Sequence, residues 1–358
     1  RAPNTSTARC AMPRRPSVLF LVEGDPSHPI AFYRGHLPAR ALRMRRWQAF
    51  ASPEGVVWKD GRIGYPNVDP TDIVVLRRPV HDDGSTFDLT ESIQAAREAG
   101  QTIYSDLDDD YWHLPSTNPA SKLVNAESLA LWDANIAASD GLLCSTPGLA
   151  QSMGSHLDVP IHVCPNGIDP ALYVPKEGEN EPLRVGWLGP WNWRRDDLAS
   201  AADWLVPMLN DRADRVVFVH IGATPEDDGR VEDILQGHKF RVERVPWVPF
   251  ICLDQSIKKV DVMLIPQRLG GEYEAFANAR SPTSAIASIA SGVPVWATPI
   301  DSYRRFFGDA LPETPEELLD SKAIRKYYKR AQKALLGKVN LEATAMAYEK
   351  VFLATVKP

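Results

Sequence analysis

The stretch Asn278 to Thr298, NARSPTSAIASIASGVPVWAT, decides how the chain is read. Ser281 is a residue type that caps helices, Pro282 suits a first helical position, and the apolar spacing carries a helix to Ser291. Gly292 then supplies a C-terminal cap before the apolar strand Val293–Ala297. A helix start gathering Arg280, Ser281, Thr283 and Ser284 offers backbone N–H groups, hydroxyls and a guanidinium. Those are the ingredients of a phosphate site. The same residues also read as an ordinary capped helix with Arg280 in solvent.

Outward from this unit, short apolar runs alternate with helical stretches. Before it come Arg184–Leu188 (RVGWL), the helical Asp196–Leu209, Arg215–Ile221 (RVVFVHI), Phe240–Val245 and Val260–Ile265. Helices are expected at Val231–Gln236 and Pro282–Ser291. An earlier series holds Ser17–Val22 (SVLFLV), Asp72–Leu76, Thr102–Ser105, Gly141–Ser145 and Ile161–Cys164, with helices at Leu89–Ala99 and Leu123–Ala138. Continuous apolar strands between amphipathic helices imply parallel sheets covered on both faces. The Pro- and Glu-rich segment 171–182 separates the series. The expected organisation is therefore α/β: a tail over 1–15, a Rossmann-like domain over 16–170, a linker, a second such domain over 183–322, and a helical tail over 323–358. A single large sheet is the rival reading. Doubly wound sheets bind ligands beyond the carboxyl ends of their strands, which puts a site in the cleft between two of them.

Composition agrees. The 358 residues are 44% hydrophobic and 24% charged, with a net charge of -6 and no run approaching the roughly 18–20 apolar residues of a membrane span. That balance leans against a chain built mainly to grip a polyanion. Cys10, Cys144, Cys164 and Cys252 form no Cys-x-x-Cys pair, and the last three sit in apolar runs as buried thiols. The Arg-rich N-terminal segment has no apolar signal core, so a cytoplasmic location is expected. The 30 Pro point to many short connections, and the 10 Trp raise the expectation that some line the cleft.

A serine-rich helix start followed by A-S-G-V-P-V-W-A-T resembles the donor-binding region of nucleotide-sugar glycosyltransferases of the two-Rossmann GT-B fold, nearest to the retaining family 4 type. Pro165-Asn166-Gly167-Ile168-Asp169 is similar to the P-N-G-V/I-D that ends their first domain. Arg184–Gly189 followed by Asp196-Asp197-Leu198 is similar to the opening of their second. Tyr104–Leu114 (YSDLDDDYWHL) resembles a Y-D-x-D-D-x-x-W stretch found in some members. The resemblance spans Ser17 to Pro299 and implies the GT-B fold, two Rossmann-like domains facing each other across a cleft, with the helical tail crossing back to domain one.

The resemblance also implies a hexosyl or pentosyl transferase, retaining and independent of metal or other cofactor, with a nucleoside-diphosphate sugar as co-substrate. Its base would lie against Trp247–Phe250, and its diphosphate would meet Arg280, Ser281, Thr283 and Ser284 with Arg194 or Arg195 as cationic partners. Cations and a helix N-terminus stabilise a leaving phosphate electrostatically. Gly24, His28 and Tyr33 form the loop after the first strand at the facing cleft edge, and Asp108, His113 and Arg34 are the candidate catalytic residues, the first two as acceptor contacts. The usual Glu-x7-Glu pair is replaced by Ala279 and Ala287. Glu272 and Glu274, in the nearby Gly270–Glu274 loop, are the candidate substitutes.

Three readings compete with this one. A non-catalytic binding or partner subunit that kept the fold is supported by the two alanines. A nucleotide-sugar epimerase would need an acid/base pair, for which no candidate stands out. Asp106, Asp108, Asp109 and Asp110 also read as a metal-holding Asp-x-Asp or as a solvated run. The expected acceptor is a glycan, a lipid-linked sugar or a small molecule. A modified DNA base is not favoured, although Trp187, Trp191 and Trp193 beside Arg194 and Arg195 suit base or sugar stacking as well as core packing. Basic clusters at Arg40–Arg46 and Lys322–Lys333 are solvated faces by default and peripheral membrane or polyanion contacts otherwise. Oligomeric state is left open.

Overall fold

The computed structural model describes residues 15–22, 24–52, 57–66, 69–77, 88–227 and 229–355. The expected tail over 1–15 lies outside them except for Arg15. Strands in chain order are β1 (Ser17–Leu21), β2 (Gln48–Ser52), β3 (Val57–Lys59), β4 (Arg62–Gly64), β5 (Ile73–Arg77), β6 (Thr102–Leu107), β7 (Gly141–Cys144) and β8 (Ile161–Val163). They continue with β9 (Leu183–Leu188), β10 (Val216–Ala223), β11 (Arg241–Pro246), β12 (Val262–Ile265) and β13 (Val295–Ala297).

Two separate parallel sheets form, so the single-sheet alternative falls. The first has the order β2-β1-β5-β6-β7-β8 and the second β11-β10-β9-β12-β13. The chain reverses its direction of strand addition between β1 and β5 in one sheet, and between β9 and β12 in the other. These are the topological switch points, where loops beyond the strand ends diverge and leave a crevice. The segments leaving β1 and β9 are the ones that line the cleft described below.

The strands form where the apolar runs are continuous because both faces are covered. β10 is buried along its whole length. β2 and the antiparallel pair β3–β4 carry no such run, with β3 exposed throughout, and sequence patterning passes over them. Cys144 and Cys164 are buried, as expected, whereas Cys252 sits half-buried at a 3₁₀ turn.

The C-terminal region is two helices, Ser321–Leu336 and Leu341–Thr355. The first packs Ile324, Tyr327, Ala331 and Leu335 on the second domain. The second packs Tyr348, Val351 and Phe352 against Val18 and Phe20 beneath the first sheet. The crossing back therefore occurs at residues 337–340, where Asn340 accepts the amide of Ala343 at 2.8 Å and starts the last helix. Gly167 has no room for a side chain there, since a Cβ would come within 2.0 Å of Thr344.

The cluster at Arg40–Arg46 stays at the surface, with Arg40, Arg43 and Arg46 exposed, but several of its guanidinium groups are paired within the chain. Arg45 Nε donates to Glu349 at 2.7 Å, Arg40 pairs with Asp169, and Arg43 donates to the Ala49 carbonyl at 2.8 Å. Trp187 and Trp191 are core residues of the second domain, and only Trp193 of that trio is exposed. Among the described residues no helix is long and apolar enough to cross a membrane.

Candidate functional site

The decisive helix differs from its sequence reading at both ends. It spans Thr283–Ala290, Pro282 occupies the cap position, and no side chain caps it. Ser281 points elsewhere: its hydroxyl accepts Nδ2–H of Asn166 at 3.0 Å from the opposite domain. The first intrahelical bond runs from the Ile286 amide to the Pro282 carbonyl at 2.9 Å, so the amides of Thr283, Ser284 and Ala285 precede it. Gly292, at φ +84°, packs so tightly on the linker that a Cβ would meet the Lys176 nitrogen at 2.4 Å.

The second cationic contributor begins earlier than its pattern suggests. The helix after β9 starts at Trp191 behind Pro190, placing Arg194 at the end of its first turn and Arg195 at the start of its second. A turn of helix separates neighbours by about 100°, so the pair diverges. Arg194 faces the cleft and bonds Asp197 at 3.0 Å; Arg195 lines a smaller crevice on the other side and lies 3.9 Å from Asp196. Gly189 makes room for Arg194, because a Cβ there would stand 2.6 Å from its Cγ.

Two adjoining chambers occupy the cleft. The first, about 170 Å³, is largely apolar, with Leu188, Gly189, Gly222, Pro246, Val248 and Phe250 among its walls and the half-exposed Trp247 at its edge. The second, about 140 Å³, is polar and is lined by Arg34, Asp108, Asp109, Asn166, Arg280 and Ser281 among others. Pro29, Tyr33, Arg194 and Thr283 border both, so the chambers join at the start of the Thr283–Ala290 helix.

Arg194 and Arg280 share one carboxylate, Asp197, at 3.0 and 3.2 Å, and Arg280 also reaches Gln267 Oε1 at 3.0 Å. Burial and the neighbouring Arg194 hold the Arg280 guanidinium below its ordinary pKa, against the pull of Asp197. It remains charged, because an arginine stays protonated far above neutrality. Two guanidinium groups beside free helix amides offer donors suited to an anion at the helix start, with Asp108 and Asp109 on the far side of the polar chamber.

Across the cleft, Arg34 is fully buried. It pairs with Asp106 through two nitrogens, donates to the Cys164 carbonyl at 2.6 Å and to Asn166 Oδ1 at 3.0 Å. Burial raises the Asp106 pKa while Arg34 opposes that shift. The acidic run disperses rather than converging: Asp106 is held by Arg34, Asp108 accepts from Tyr111 at 3.2 Å, and Asp110 holds Ser152 at 2.6 Å and His113 at 2.9 Å. Asp108 and Asp109 line the polar chamber. His113 does not; its partners are Asp110, three residues earlier, and Ser152 on the helix after β7.

Tyr33 stands in the wall of both chambers, its ring 5.0 Å from Phe250 in an edge contact. Gly24, at φ +90°, and His28 shape the loop before it without lining either chamber. Glu272 and Glu274 are likewise turned away. Glu272 accepts the amide and hydroxyl of Ser116 at 2.8 and 2.9 Å, tying the domains together, and Glu274 accepts the Gly270 amide at 2.9 Å and Asn278 at 3.1 Å. Ala279 is buried at the interface, its carbonyl accepting from Thr146 at 2.6 Å, whereas Ala287 faces the apolar chamber. Asn166, Asp197 and Gln267 complete the arrangement. The first two lie in motifs quoted above; Gln267 has no signal beyond its place just after β12.

No protein-family model and no curated protein sequence matches the chain. Its fold has solved counterparts. AviGT4, a glycosyltransferase involved in avilamycin A biosynthesis, aligns with TM-score 0.56 and 16% identity over 96% of this chain and 98% of its own. An alpha-glucosyltransferase solved with UDP and a 13-mer DNA containing an HMU base aligns at 0.59 and 8% over 96% and 100%. TarM from S. aureus, solved as a mutant with UDP, aligns at 0.54 and 13% over 78% of this chain and 55% of that one, so the chain spans about half the length of TarM. The fold is that of the GT-B glycosyltransferases, two Rossmann-like domains facing across a cleft.

Proposed function

We propose that the protein moves a sugar from a nucleoside-diphosphate sugar to an acceptor hydroxyl, with retention of configuration and without a metal ion. The observation that carries this reading is the junction of an apolar chamber with a polar one at a helix start flanked by two guanidinium groups, Arg280 just before it and Arg194 from the helix after β9. The base lies against Trp247 and the diphosphate at Thr283 and Ser284, with Arg194 and Arg280 neutralising the leaving phosphate. The sugar occupies the polar chamber beside Asp108 and Asp109. The leaving phosphate takes the acceptor's proton in a same-face attack, so no side-chain nucleophile is called for.

The acceptor is a glycan, a lipid-linked sugar or a small molecule. The neighbour solved with DNA, matched over its entire length, supports a modified base in DNA as a second acceptor class. A non-catalytic binding subunit is the competing reading, favoured by Ala287 in the donor chamber where no carboxylate stands among the described lining residues. A thermal-shift screen over nucleotide sugars followed by calorimetry tests the donor reading. Stabilisation by one base series supports it, and the double variant Arg280→Ala/Ser281→Ala is expected to weaken that binding. Unchanged affinity in that variant overturns the phosphate assignment. Binding without sugar release or transfer in the presence of candidate acceptors favours the binding subunit.

A further inference from the structure

We infer that the nucleotide chamber does not read the 2′-hydroxyl of the pentose, so that it takes 2′-deoxyribonucleoside diphosphates as readily as ribonucleoside ones. The inference rests on the nucleotide reading above and names its donor class. A base beside Trp247 and phosphates at Thr283 leave the pentose between them, and Ala287 lines the same chamber one turn along from Thr283 and Ser284 on the same helix face. Helical side chains lean toward the N-terminus, so residue 287 projects toward the phosphate end of the chamber. Nucleotide sites that recognise ribose place a carboxylate on its hydroxyls. Here a methyl group occupies the position, and the described lining residues include no Asp, Glu, Asn or Gln.

Besides Trp247 at the edge, the polar side chains that border the chamber are Tyr33, Arg194, Thr283 and Ser284. Arg194 is held by Asp197 at 3.0 Å. The hydroxyls of Thr283 and Ser284 lie at the helix start, where the phosphates sit. Tyr33 contributes its ring, because its hydroxyl oxygen is itself buried, on the side of Tyr173. A site that hydrogen-bonds a substrate hydroxyl rejects the analogue lacking it strongly, whereas an apolar wall discriminates weakly between the two. Ala287 is thus a specificity-determining residue by what it omits.

The test is calorimetry of the full chain with the ribo- and 2′-deoxyribonucleoside diphosphates of each base. For the base that binds, the ribo form is expected to exceed the deoxy form by less than about tenfold in affinity. A larger ribo preference overturns the inference while leaving the nucleotide reading intact. Failure of every nucleoside diphosphate to bind, in a sample with a normal melting transition, overturns the nucleotide reading and this inference with it. Ala287→Glu is expected to raise the ribo-over-deoxy ratio by about tenfold or more, since a carboxylate accepts a strong hydrogen bond from the added hydroxyl. An unchanged ratio in that folded variant overturns the role of Ala287. Should the variant not fold, the wild-type ratio decides alone.

Discussion

Asn166 donates from Nδ2 to the Ser281 hydroxyl at 3.0 Å, linking the end of the first domain to the entrance of the decisive helix in the second. Its Oδ1 accepts from Arg34 at 3.0 Å, and Arg34 in turn holds Asp106. One continuous polar chain thus runs from a buried ion pair to the cleft floor. The amide of Asn166 suits this place because it donates on one side and accepts on the other.

Arg34→Met is expected to destabilise the protein by about 3–5 kcal/mol, because it leaves Asp106 charged and unpaired where both side chains are fully buried. Chemical denaturation checks this. A loss below about 1 kcal/mol would show that water reaches Asp106 and that the pair is not a core element.

Arg194 and Arg195 are adjacent in sequence yet face different crevices. Arg194→Ala should weaken nucleoside-diphosphate binding by about 10–100-fold, the value of a charge-assisted hydrogen bond. Arg195→Ala should leave it within a factor of about two. Equal losses in calorimetry would show that both guanidinium groups reach the nucleotide.

Gly148 meets the second domain so closely that a Cβ would fall 2.3 Å from the carbonyl oxygen of Asn278. Gly148→Ala should therefore push the domains apart and loosen the Thr146–Ala279 bond. Small-angle scattering is expected to show a larger radius of gyration for the variant. An unchanged profile with unchanged stability would mean that the interface absorbs the methyl group.

His220 is fully buried beneath the apolar chamber, where its Nε2 is 2.9 Å from the Gly189 carbonyl and its ring is 4.8 Å from that of Trp187. Since a carbonyl only accepts, Nε2 carries the proton in the neutral ring. Burial lowers its pKa. The unfolded chain therefore binds a proton, near the ordinary value of about 6.5, before the folded one does. Stability is full above that value and declines as pH falls through it toward the lower folded pKa. Burial lowers His36 and His162 in the same sense. His220→Gln should reduce, without abolishing, the drop in melting temperature between pH 7.5 and 5.5; an identical drop would show that His220 does not contribute.

Much of the fold is legible in the chain because its signals are local. Runs such as VVFVHI in β10 can be buried on both faces only in a covered parallel sheet, whereas the tail over 323–358 reads as helical and the structure places its break at residues 337–340. The strands that escape notice, β2 to β4, lack such runs: β2 owes its place to pairing with the distant β1, and β3 and β4 form a short hairpin with little apolar patterning. The site is less legible. Arg280, Ser281, Thr283 and Ser284 are recognisable at a helix start, but Glu272 and Glu274 are not distinguishable by sequence from cleft carboxylates. Their turning away is decided by Ser116, more than 150 positions earlier.

Local pattern in the chain suffices for two α/β halves, for the helix at the chamber junction and for the alanines that stand where the resemblance puts carboxylates. Tertiary structure decided which side chains meet: Asn166 with Ser281, Arg34 with Asp106, and Arg194 rather than Arg195 with the cleft. The physical reason is that a side chain's neighbours depend on helix phase and on where the two switch points face each other. Local patterning sets the helix and strand, and the closure of one domain on the other selects the contacts.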